Sequence, residues 1–339
     1  MSEIIADVVV DVQYGDCGKG KVTHHLAKSG DYTHVVRYNG GHNAGHTIYH
    51  DGKKFVTHAI PCGVFFGIKS VIGPGCVINP DRLLQEMQEL RDAGIDVDNL
   101  LMIAHNAHVI TDWHLIQDGK DEKIGTTKRG NGPAYRDKYG RQGVRAEEVR
   151  ELEEYIVDVY DEFHRNQMHS TVNILFEGAQ GFGLDIDWGD YPYVTSSHCT
   201  AASAALNGVP PTAIRHIYGV AKIYETYVGA KDFEMDETEL ANAIRQVGEE
   251  YGATTGRPRQ INWFDVDAVS RAVDINGVTR LVVNKVDVLE TLGEDVMRVY
   301  HGDNMFSFES IDDMKYYIEE HVGNRKDVKF YFSGNKDRI

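Results

Sequence analysis

The stretch of sequence that decides the fold is an apolar run leading into a glycine-rich turn, Ile4-Ile5-Ala6-Asp7-Val8-Val9-Val10-Asp11-Val12-Gln13-Tyr14-Gly15-Asp16-Cys17-Gly18-Lys19-Gly20-Lys21. The apolar run predicts a buried strand, and the residues after the turn predict a helix. Glycines let successive backbone N–H groups face an anion, and the amino end of a helix adds partial positive charge there. The stretch therefore predicts a phosphate-binding element of an α/β fold.

This turn differs from a P-loop at the position that holds the metal. The spacing from Gly15 to Gly20-Lys21 almost matches the P-loop pattern, but Val22 stands where a Ser or Thr is required. Asp16 is the candidate replacement, because a hard cation prefers carboxylate oxygens. We therefore expect a P-loop-like nucleotide-binding element with Mg²⁺ as its cofactor.

The composition is that of a soluble globular protein. The chain has 339 residues, 42% of them hydrophobic and 26% charged, and a net charge of −17, which argues against a broad nucleic-acid surface. No apolar run is long enough to cross a bilayer, and the amino end lacks a secretory signal pattern. We expect a cytoplasmic protein with no nucleic-acid or membrane partner. The four cysteines form no C-x-x-C pair and are predicted to be reduced thiols.

The remaining apolar pattern predicts the rest of the α/β fold. Asn79-Pro80-Asp81 predicts a helix start and Gly94 its end, and a second apolar stripe predicts a helix over Ala146 to Phe163. Short apolar runs predict buried strands at Ile174 to Phe176, Ile217 to Ile223, Leu281 to Val283 and Val328 to Phe332. The predicted fold is a central, mostly parallel sheet flanked by helices. No linker-like segment interrupts it, so we expect a single domain over residues 1–339.

Four polar loops between these elements are candidates for substrate binding. In Arg37 to Thr47, His46 could donate a hydrogen bond to an oxygen that gains charge, although a lone loop histidine is more often an ordinary surface residue. Ile124 to Tyr135 offers hydroxyls, amides and cations, which suit a phosphate monoester or a plain solvated loop. Gln180 follows a strand and could read a base edge or simply form a turn. Tyr191 to Ser197 offers hydroxyls for phosphate or for a helix cap.

Two further loops suggest the remaining ligands. Arg257 and Arg259 lie two residues apart in a glycine-containing loop and suit a dicarboxylate, with surface salt bridges as the alternative. Asn284-Lys285-Val286-Asp287 follows a predicted strand and has the spelling used for guanine recognition in many GTP-binding proteins. An aspartate there can accept hydrogen bonds from N1–H and the 2-amino group, while the lysine stem packs on the purine.

Together these loops resemble adenylosuccinate synthetase over essentially the whole chain, especially the short forms of archaea and some phages. The resemblance implies that GTP, Mg²⁺, IMP and L-aspartate are converted to adenylosuccinate, GDP and phosphate. It implies that Asp16 removes the purine N1 proton and binds Mg²⁺, and that the carbonyl of Gly45 is a second metal contact. It also implies that His46 stabilises charge while the γ-phosphoryl group moves to purine O6. Phosphorylating that poor leaving group divides one steep barrier into two lower ones.

The resemblance also assigns binding residues to each substrate. For the nucleoside triphosphate it implies Gly15, Gly18, Lys19, Gly20, Gly45, Thr47, Lys285, Asp287, Ser333 and Gly334. For the purine monophosphate it implies Asn43, Thr127, Arg141, Gln180, Thr195 and Val228. For L-aspartate it implies Thr254, Thr255, Arg257 and Arg259. In the family the residue matched by Arg141 reaches the neighbouring subunit, which implies a homodimer.

Several positions depart from the family pattern beside the purine pocket. Cys17 replaces a Glu, His24 an Asp, Tyr14 a Trp and Tyr227 an Arg, and Gln260 interrupts an arginine run. A phage relative joins aspartate to dGMP, and the small Cys17 side chain could make room for a 2-amino group. IMP is the expected substrate and dGMP the alternative, with GTP or ATP as phosphoryl donor and the host cytoplasm as compartment if a phage encodes the chain. Different alternatives are a GTP-binding switch or NTPase without a second substrate, and an inactive scaffold.

Overall fold

The structure is a computed structural model that describes residues 3–120, 124–166, 170–252, 256–323, 327–334 and 339. Its α-helices in those ranges are α1 Lys19–Ser29, α2 Pro80–Asp92, α3 Asp112–Gly119, α4 Asn131–Tyr139, α5 Ala202–Ala205, α6 Thr238–Val247, α7 Val266–Asn276, α8 Val286–Leu292 and α9 Ile311–His321. Its strands there are β1 Glu3–Asp11, β2 His34–Arg37, β3 His46–His50, β4 Lys53–Thr57, β5 Lys69–Ile72, β6 Val77–Ile78, β7 Leu101–Ala104, β8 His108–Val109, β9 Ile156–Val157, β10 Thr171–Glu177, β11 Ile214–Lys222, β12 Tyr224–Tyr227, β13 Gln260–Asp265, β14 Arg280–Asn284, β15 Arg298–His301, β16 Asn304–Ser307 and β17 Lys329–Ser333.

A nine-stranded sheet forms the centre of the fold, in the order β17-β14-β11-β1-β10-β2-β5-β7-β9. Every pairing between these strands is parallel. Consecutive residues Val8, Val9 and Val10 of β1 are all buried, as expected where helices cover both faces of a parallel sheet. The predicted α/β class with a parallel central sheet is confirmed.

The strand order reverses direction around β1, and this places the loops of interest. The chain continues from β1 toward β2 and β5 on one side, whereas β11, β14 and β17 lie on the other. Ligands of open parallel sheets bind where the strand order reverses, outside the carboxyl ends of the strands. The glycine turn follows β1 at this edge and the Gln180 loop follows β10, so the two loops lie side by side.

Smaller sheets bring two more segments to the same edge. The hairpin of β3 and β4 begins with His46. A four-stranded sheet in the order β12-β13-β15-β16 starts directly after β11, and its β13 is preceded by Arg259. Residues far apart in the chain therefore converge at the carboxyl edge of the central sheet.

The four predicted strands are confirmed as β10, β11, β14 and β17. The predicted start of α2 is also confirmed, because the Asn79 side chain accepts a hydrogen bond from the backbone N–H of Arg82 at 3.0 Å. Gly94, with φ of +84°, follows the end of this helix. A left-handed residue just after a helix closes it, as predicted.

The predicted continuous helix over Ala146 to Phe163 is wrong. That segment contains short 3₁₀ turns at Ala146–Glu148 and Arg150–Tyr155, then strand β9 and a π-helical turn at Asp161–Arg165. The apolar members Leu152 and Phe163 are still buried. The apolar stripe predicted correctly which residues are buried. The backbone of β9, however, pairs with β7 at the edge of the sheet, so the segment does not continue as a helix.

The hydrophobic core extends from Ala6 to Val322, and a second small cluster of Val77, Ile110, Ala134 and Tyr135 lies where α4 packs against β6. A single domain over 1–339 stays a prediction. All four cysteines are buried free thiols, as predicted. Among the described helices, none has the length and apolar character to span a bilayer.

Candidate active site

A cleft of about 700 Å³ opens at the carboxyl edge of the central sheet. The predicted site residues that line it are Gly15, Asp16, Gly18, Lys19, Gly20, Asn43, Gly45, His46, Thr47, Thr127, Gln180, Thr195, Val228 and Arg259. The described predicted residues that lie outside its lining are Arg141, Arg257, Lys285, Asp287, Ser333 and Gly334. Thr254 and Thr255 lie outside the described residues.

A buried carboxylate, that of Asp11, shapes the glycine turn. Its Oδ1 accepts hydrogen bonds from the backbone N–H groups of Gln13 and Gly15 at 3.0 and 3.1 Å. Its Oδ2 accepts from the backbone N–H of Cys17 and from Lys19 Nζ, both at 3.1 Å. Three of the N–H groups of the turn therefore point inward at Asp11. We did not single out Asp11 from the sequence, although a charged residue in an apolar strand run must be paired and is a usable signal.

The amino end of α1 remains available to a ligand. Gly18, which precedes the helix, has φ of +100° and makes no side-chain cap. The first N–H groups of a helix have no partner within it, so an uncapped end favours an anion. A Cβ on Gly18 would lie 2.8 Å from Asn284 Nδ2, so glycine is required both by the backbone angle and by this close approach.

The predicted guanine-recognition loop lies against the glycine turn. Asn284 Nδ2 donates to the carbonyl of Cys17 at 2.8 Å, and Lys21 Nζ donates to Ser333 Oγ at 2.9 Å. Gly334 packs closely against Asp287, because a Cβ on Gly334 would lie 2.9 Å from the Asp287 Cβ. The loops after β14 and β17 thus form a group beside the turn but outside the lining of the cleft.

Lys285 and Asp287 occupy different environments within this group. Lys285 Nζ donates to the carbonyl of Gly248 at 2.6 Å, and burial lowers the pKa of this lysine. Asp287 is exposed in the first turn of α8. An exposed carboxylate can form hydrogen bonds with a guanine base that arrives from solvent. The motif from Asn284 to Asp287 is therefore accessible to a nucleotide although it lies outside the lining of the cleft.

His46 is held between two charged residues that contact each other. Its Nδ1 donates to Glu177 Oε1 and its Nε2 lies 3.0 Å from Arg37 Nη1, which can only donate. Arg37 Nη2 also lies 2.9 Å from Glu177 Oε1. Burial, followed by the charge of Arg37, lowers the pKa of His46 to about 4. The imidazole is therefore neutral near pH 7, with its proton on Nδ1.

Asp16 is joined to the arginine loop. Its Oδ2 lies 3.1 Å from Arg259 Nη2, and its side chain is 43% exposed to the cleft. Arg259 Nη1 pairs with Glu250, and Lys222 Nζ lies 2.7 Å from the same carboxylate oxygen of Glu250. Asp16, His46 and Arg259 reach one cleft, whereas Arg257 does not line it.

Three carboxamides form a polar patch on another wall of the cleft. Asn43 Oδ1 accepts from Asn131 Nδ2 at 2.8 Å and from Gln180 Nε2 at 3.0 Å. Asn131 Oδ1 and Gln180 Oε1 are buried and make no hydrogen bond to the described residues. These two oxygens can accept hydrogen bonds from a ligand. Asn131, within the predicted loop from Ile124 to Tyr135, is a site candidate that the sequence reasoning missed.

Cys17 does not have the position we expected. Its thiol is buried, donates to Gln13 Oε1 at 3.1 Å and lies outside the lining of the cleft. Burial raises the pKa of this thiol well above its usual value. The size of the Cys17 side chain therefore does not directly set the space beside Asp16.

The donors that a metal needs are oxygens in this cleft. The carboxylate of Asp16 and the carbonyl of Gly45 both belong to residues that line it. Within the described ranges, no group of three or more His, Cys, Asp or Glu side chains is arranged to hold a metal ion. This donor set suits Mg²⁺, which binds through one or two protein oxygens and completes its shell with water and phosphate oxygens.

A parallel sheet with a glycine turn, an uncapped helix end and a polar cleft at its carboxyl edge defines a nucleotide-binding α/β enzyme. A sequence model of the family described as adenylosuccinate synthetase matches residues 8–154 and 148–321. Adenylosuccinate synthetase of Geobacillus sp. strain WCH70 is 41% identical over 349 aligned positions, covering 87% of this chain and 81% of the relative. That of Geobacillus kaustophilus is also 41% identical, covering 89% and 82%. The chain belongs to the adenylosuccinate synthetase family and is therefore a carbon–nitrogen ligase of purine-nucleotide synthesis.

Solved structures of other proteins share the fold. Fully ligated adenylosuccinate synthetase from Plasmodium falciparum superposes with a TM-score of 0.86 at 26% identity, covering 98% of this chain and 97% of that one. Succinoaminodeoxyadenylate synthetase of cyanophage S-2L, bound to dGMP and to dATP as an energy donor, gives 0.70 at 23% identity, covering 95% and 100%. The second likeness concerns the fold alone.

Proposed function

We propose that this chain joins L-aspartate to C6 of IMP, using GTP to form a 6-phosphoryl intermediate. The observation that carries this proposal is the meeting of Asp16, His46 and Arg259 in one cleft beside the glycine turn. A base, a group that stabilises developing charge and a carboxylate receptor are the three parts that the two-step reaction needs. dGMP and ATP are the alternative substrate and donor.

In the first step, the carboxylate of Asp16 removes the N1 proton and O6 of the purine attacks the γ-phosphoryl group of GTP. The bond between the γ-phosphorus and the bridging oxygen breaks, and GDP leaves. The partial charge at the amino end of α1 and the Lys19 ammonium stabilise the charge on the triphosphate. Asp16 and the Gly45 carbonyl are the protein oxygens that would hold Mg²⁺, which neutralises phosphate charge when bound. His46 lies at the same wall, with Nδ1 bound to Glu177 and Nε2 accepting from Arg37. To stabilise charge on the phosphoryl group, Nε2 must leave Arg37 and take up a proton from solvent, and the Glu177 carboxylate then supports the imidazolium.

In the second step, the aspartate amine attacks C6, the C6–O6 bond breaks, and phosphate leaves with the proton that the amine loses. Arg259 and Arg257 are the proposed receptors for the two carboxylates, together with Thr254 and Thr255. Because Arg259 already meets one carboxylate, that of Asp16, its guanidinium has the direction that a substrate carboxylate needs. The unpartnered acceptors Gln180 Oε1 and Asn131 Oδ1 support a polar heterocycle on the opposite wall.

A homodimer is part of this proposal, because the resemblance has Arg141 reach the purine monophosphate of the neighbouring subunit. Arg141 follows α4 with φ of +61° and is exposed. Tyr139, Trp113 and Ile116, on the packed helices α4 and α3, are large exposed apolar side chains at 67%, 58% and 53%. Large exposed apolar side chains on two packed helices, one of which leads into the exposed Arg141, support a subunit contact there. We propose the cytoplasm as the compartment of the reaction.

The decisive experiment offers the purified protein IMP, dIMP, GMP and dGMP in turn, each with L-aspartate and either GTP or ATP. Mass spectrometry identifies the product, and free phosphate is measured in parallel. We expect adenylosuccinate with GDP and phosphate only when all three substrates are present. A succinylated guanylate without any succinylated inosinate assigns the chain to the dGMP reaction. Phosphate release without IMP and aspartate identifies an NTPase.

A matched variant tests the phosphoryl donor. Asp287→Ala removes the exposed carboxylate proposed to read guanine, so we expect a higher KM for GTP and an unchanged KM for ATP. The loss of hydrogen bonds to a charged acceptor corresponds to roughly a ten- to hundredfold change. Equal KM values for GTP in the variant and the wild-type protein would show that another group selects the donor.

A further inference from the structure

The side chain of Glu250 is fully buried behind the cleft and makes contact with two cations. Glu250 is not one of the described residues that line the cleft. Its Oε2 accepts from Lys222 Nζ at 2.7 Å and pairs with Arg259 Nη1, and its Oε1 accepts from the Tyr224 hydroxyl at 2.7 Å. Burial alone would raise the pKa of Glu250, but Lys222 and Arg259 lower it to about 2. Glu250 is therefore a permanent anion at neutral pH.

Glu250 and Arg259 also pair through the backbone at the base of the arginine loop. The N–H of Arg259 donates to the carbonyl of Glu250 at 3.0 Å, and Tyr251 and Pro258 form the next bridge. Lys222, at the end of β11, anchors the carboxylate to the central sheet. Buried ion pairs thus connect Arg259 through Glu250 to Lys222 of the central sheet.

The orientation of the Arg259 guanidinium follows from these contacts. Nη1 is occupied by Glu250, so the edge formed by Nε and Nη2 faces away from it. Nη2 lies 3.1 Å from Asp16 in the cleft, and Nε is buried without a hydrogen-bond partner among the described residues. An arginine edge with two parallel N–H groups binds a carboxylate in a bidentate manner. Here Nη2 of that edge meets Asp16 in the cleft and Nε has no partner among the described residues, so the edge is only half used.

The four charged side chains that contact one another here, Lys222, Glu250, Arg259 and Asp16, have no net charge before a substrate binds. Lys222 and Arg259 are cationic, and Glu250 and Asp16 are anionic. When Asp16 turns toward its own ligands, one positive charge remains at the Nε–Nη2 edge. A single substrate carboxylate restores the balance, whereas a neutral side chain leaves a partly buried cation unpaired, which is costly.

We propose that Glu250 is a positioning residue that directs the Nε–Nη2 edge of Arg259 into the cleft and thereby sets the affinity for the dicarboxylate substrate. This inference rests on the proposed function, because it assumes that Arg259 receives L-aspartate. It assigns to Glu250, Lys222 and Tyr224 a role in amino-acid selection although none of the three lines the cleft.

The test compares steady-state kinetics of the wild-type enzyme and Glu250→Gln, which keeps the size of the side chain and removes its charge. We expect the KM for L-aspartate to rise roughly tenfold or more, the range of a weakened hydrogen bond to a charged group, with the KM values for IMP and GTP within about twofold. Succinate is a dicarboxylate without the amine and should compete with L-aspartate. Its inhibition constant should rise by the same factor as the KM, because the variant weakens binding of the carboxylate.

Two further variants separate positioning from stability. Combining Lys222→Met with Glu250→Gln removes the lysine charge that Glu250→Gln alone would leave buried without a partner. We therefore expect the double variant to fold and to keep the raised KM for L-aspartate. Glu237→Gln is the control for the chemical change, because it removes the same charge from a partly exposed ion pair, 3.2 Å from Arg298 Nη1, away from the cleft; all its KM values should stay unchanged.

The outcomes are distinguishable. A Glu250→Gln enzyme whose KM for L-aspartate stays within twofold of the wild-type value overturns the positioning role, as does an equal loss of affinity for all three substrates. If the wild-type protein forms no succinylated purine nucleotide, the proposed function itself is wrong.

Discussion

Replacing Asp11 by Asn tests whether a buried carboxylate holds the phosphate-binding turn. The amide keeps the shape of the side chain and one acceptor oxygen for Gln13 and Gly15. Its NH₂ group, however, replaces the oxygen that accepts from the Cys17 N–H and from Lys19 Nζ at 3.1 Å, so donors face donors. Lys19, only 4% exposed, then remains buried without its counter-charge.

The expected cost follows from these two effects. Hydrogen bonds to charged groups contribute about 1.5–3 kcal/mol each, and an unpaired buried charge costs about 3–5 kcal/mol. The lost hydrogen bonds and the unpaired charge both involve Lys19, so the two costs overlap and do not add in full. We therefore expect the free energy of unfolding to fall by about 3–5 kcal/mol. That loss is a large part of the about 5–15 kcal/mol by which a folded protein is stable.

Urea denaturation followed by circular dichroism measures this change. Glu147→Gln is the control: it weakens an exposed ion pair with Arg145 at 3.4 Å and should change stability by less than about 1 kcal/mol. Lys19→Met in the Asp11→Asn background should cost less than the sum of the single changes, because each variant removes the same pair. A decrease below about 1 kcal/mol for Asp11→Asn would refute the role given to this carboxylate.

Three further predictions concern the turn, the base and the acid stability. Gly18→Ala forces a left-handed alanine with its Cβ 2.8 Å from Asn284 Nδ2, so it should cost roughly 1–3 kcal/mol of stability, measured by urea, and weaken GTP binding, measured by calorimetry. Asp16→Ala should abolish ligation in the phosphate-release assay while retaining nucleotide binding; near-normal turnover would mean that another group removes the proton. Burial raises the pKa of Glu177, but Arg37 and His46 lower it to about 2 from 4.5, so its contribution is complete above pH 4.5 and is lost toward pH 2. The stability difference between wild type and Glu177→Gln should therefore narrow by about 3 kcal/mol across that window; a constant difference would contradict the shift.

Local patterns predicted much of the fold. Short apolar runs marked β10, β11, β14 and β17, because a strand covered on both faces must be apolar along its length. The same logic failed from Ala146 to Phe163. There a periodic stripe indicated burial but not the backbone hydrogen bonds, which pair β9 with β7.

The sequence determined which chemical groups are available: the glycine turn that can approach an anion, the acid within it and the arginines near a strand start. These are properties of residue type and short-range spacing, which act before the chain is folded. Only the tertiary structure decided that Asp11 turns inward, that Glu250 directs Arg259 toward Asp16, and that Asn284 meets Cys17 across 267 residues. Such pairs depend on which strands become neighbours and in what register, and that is set by burial across the whole sheet.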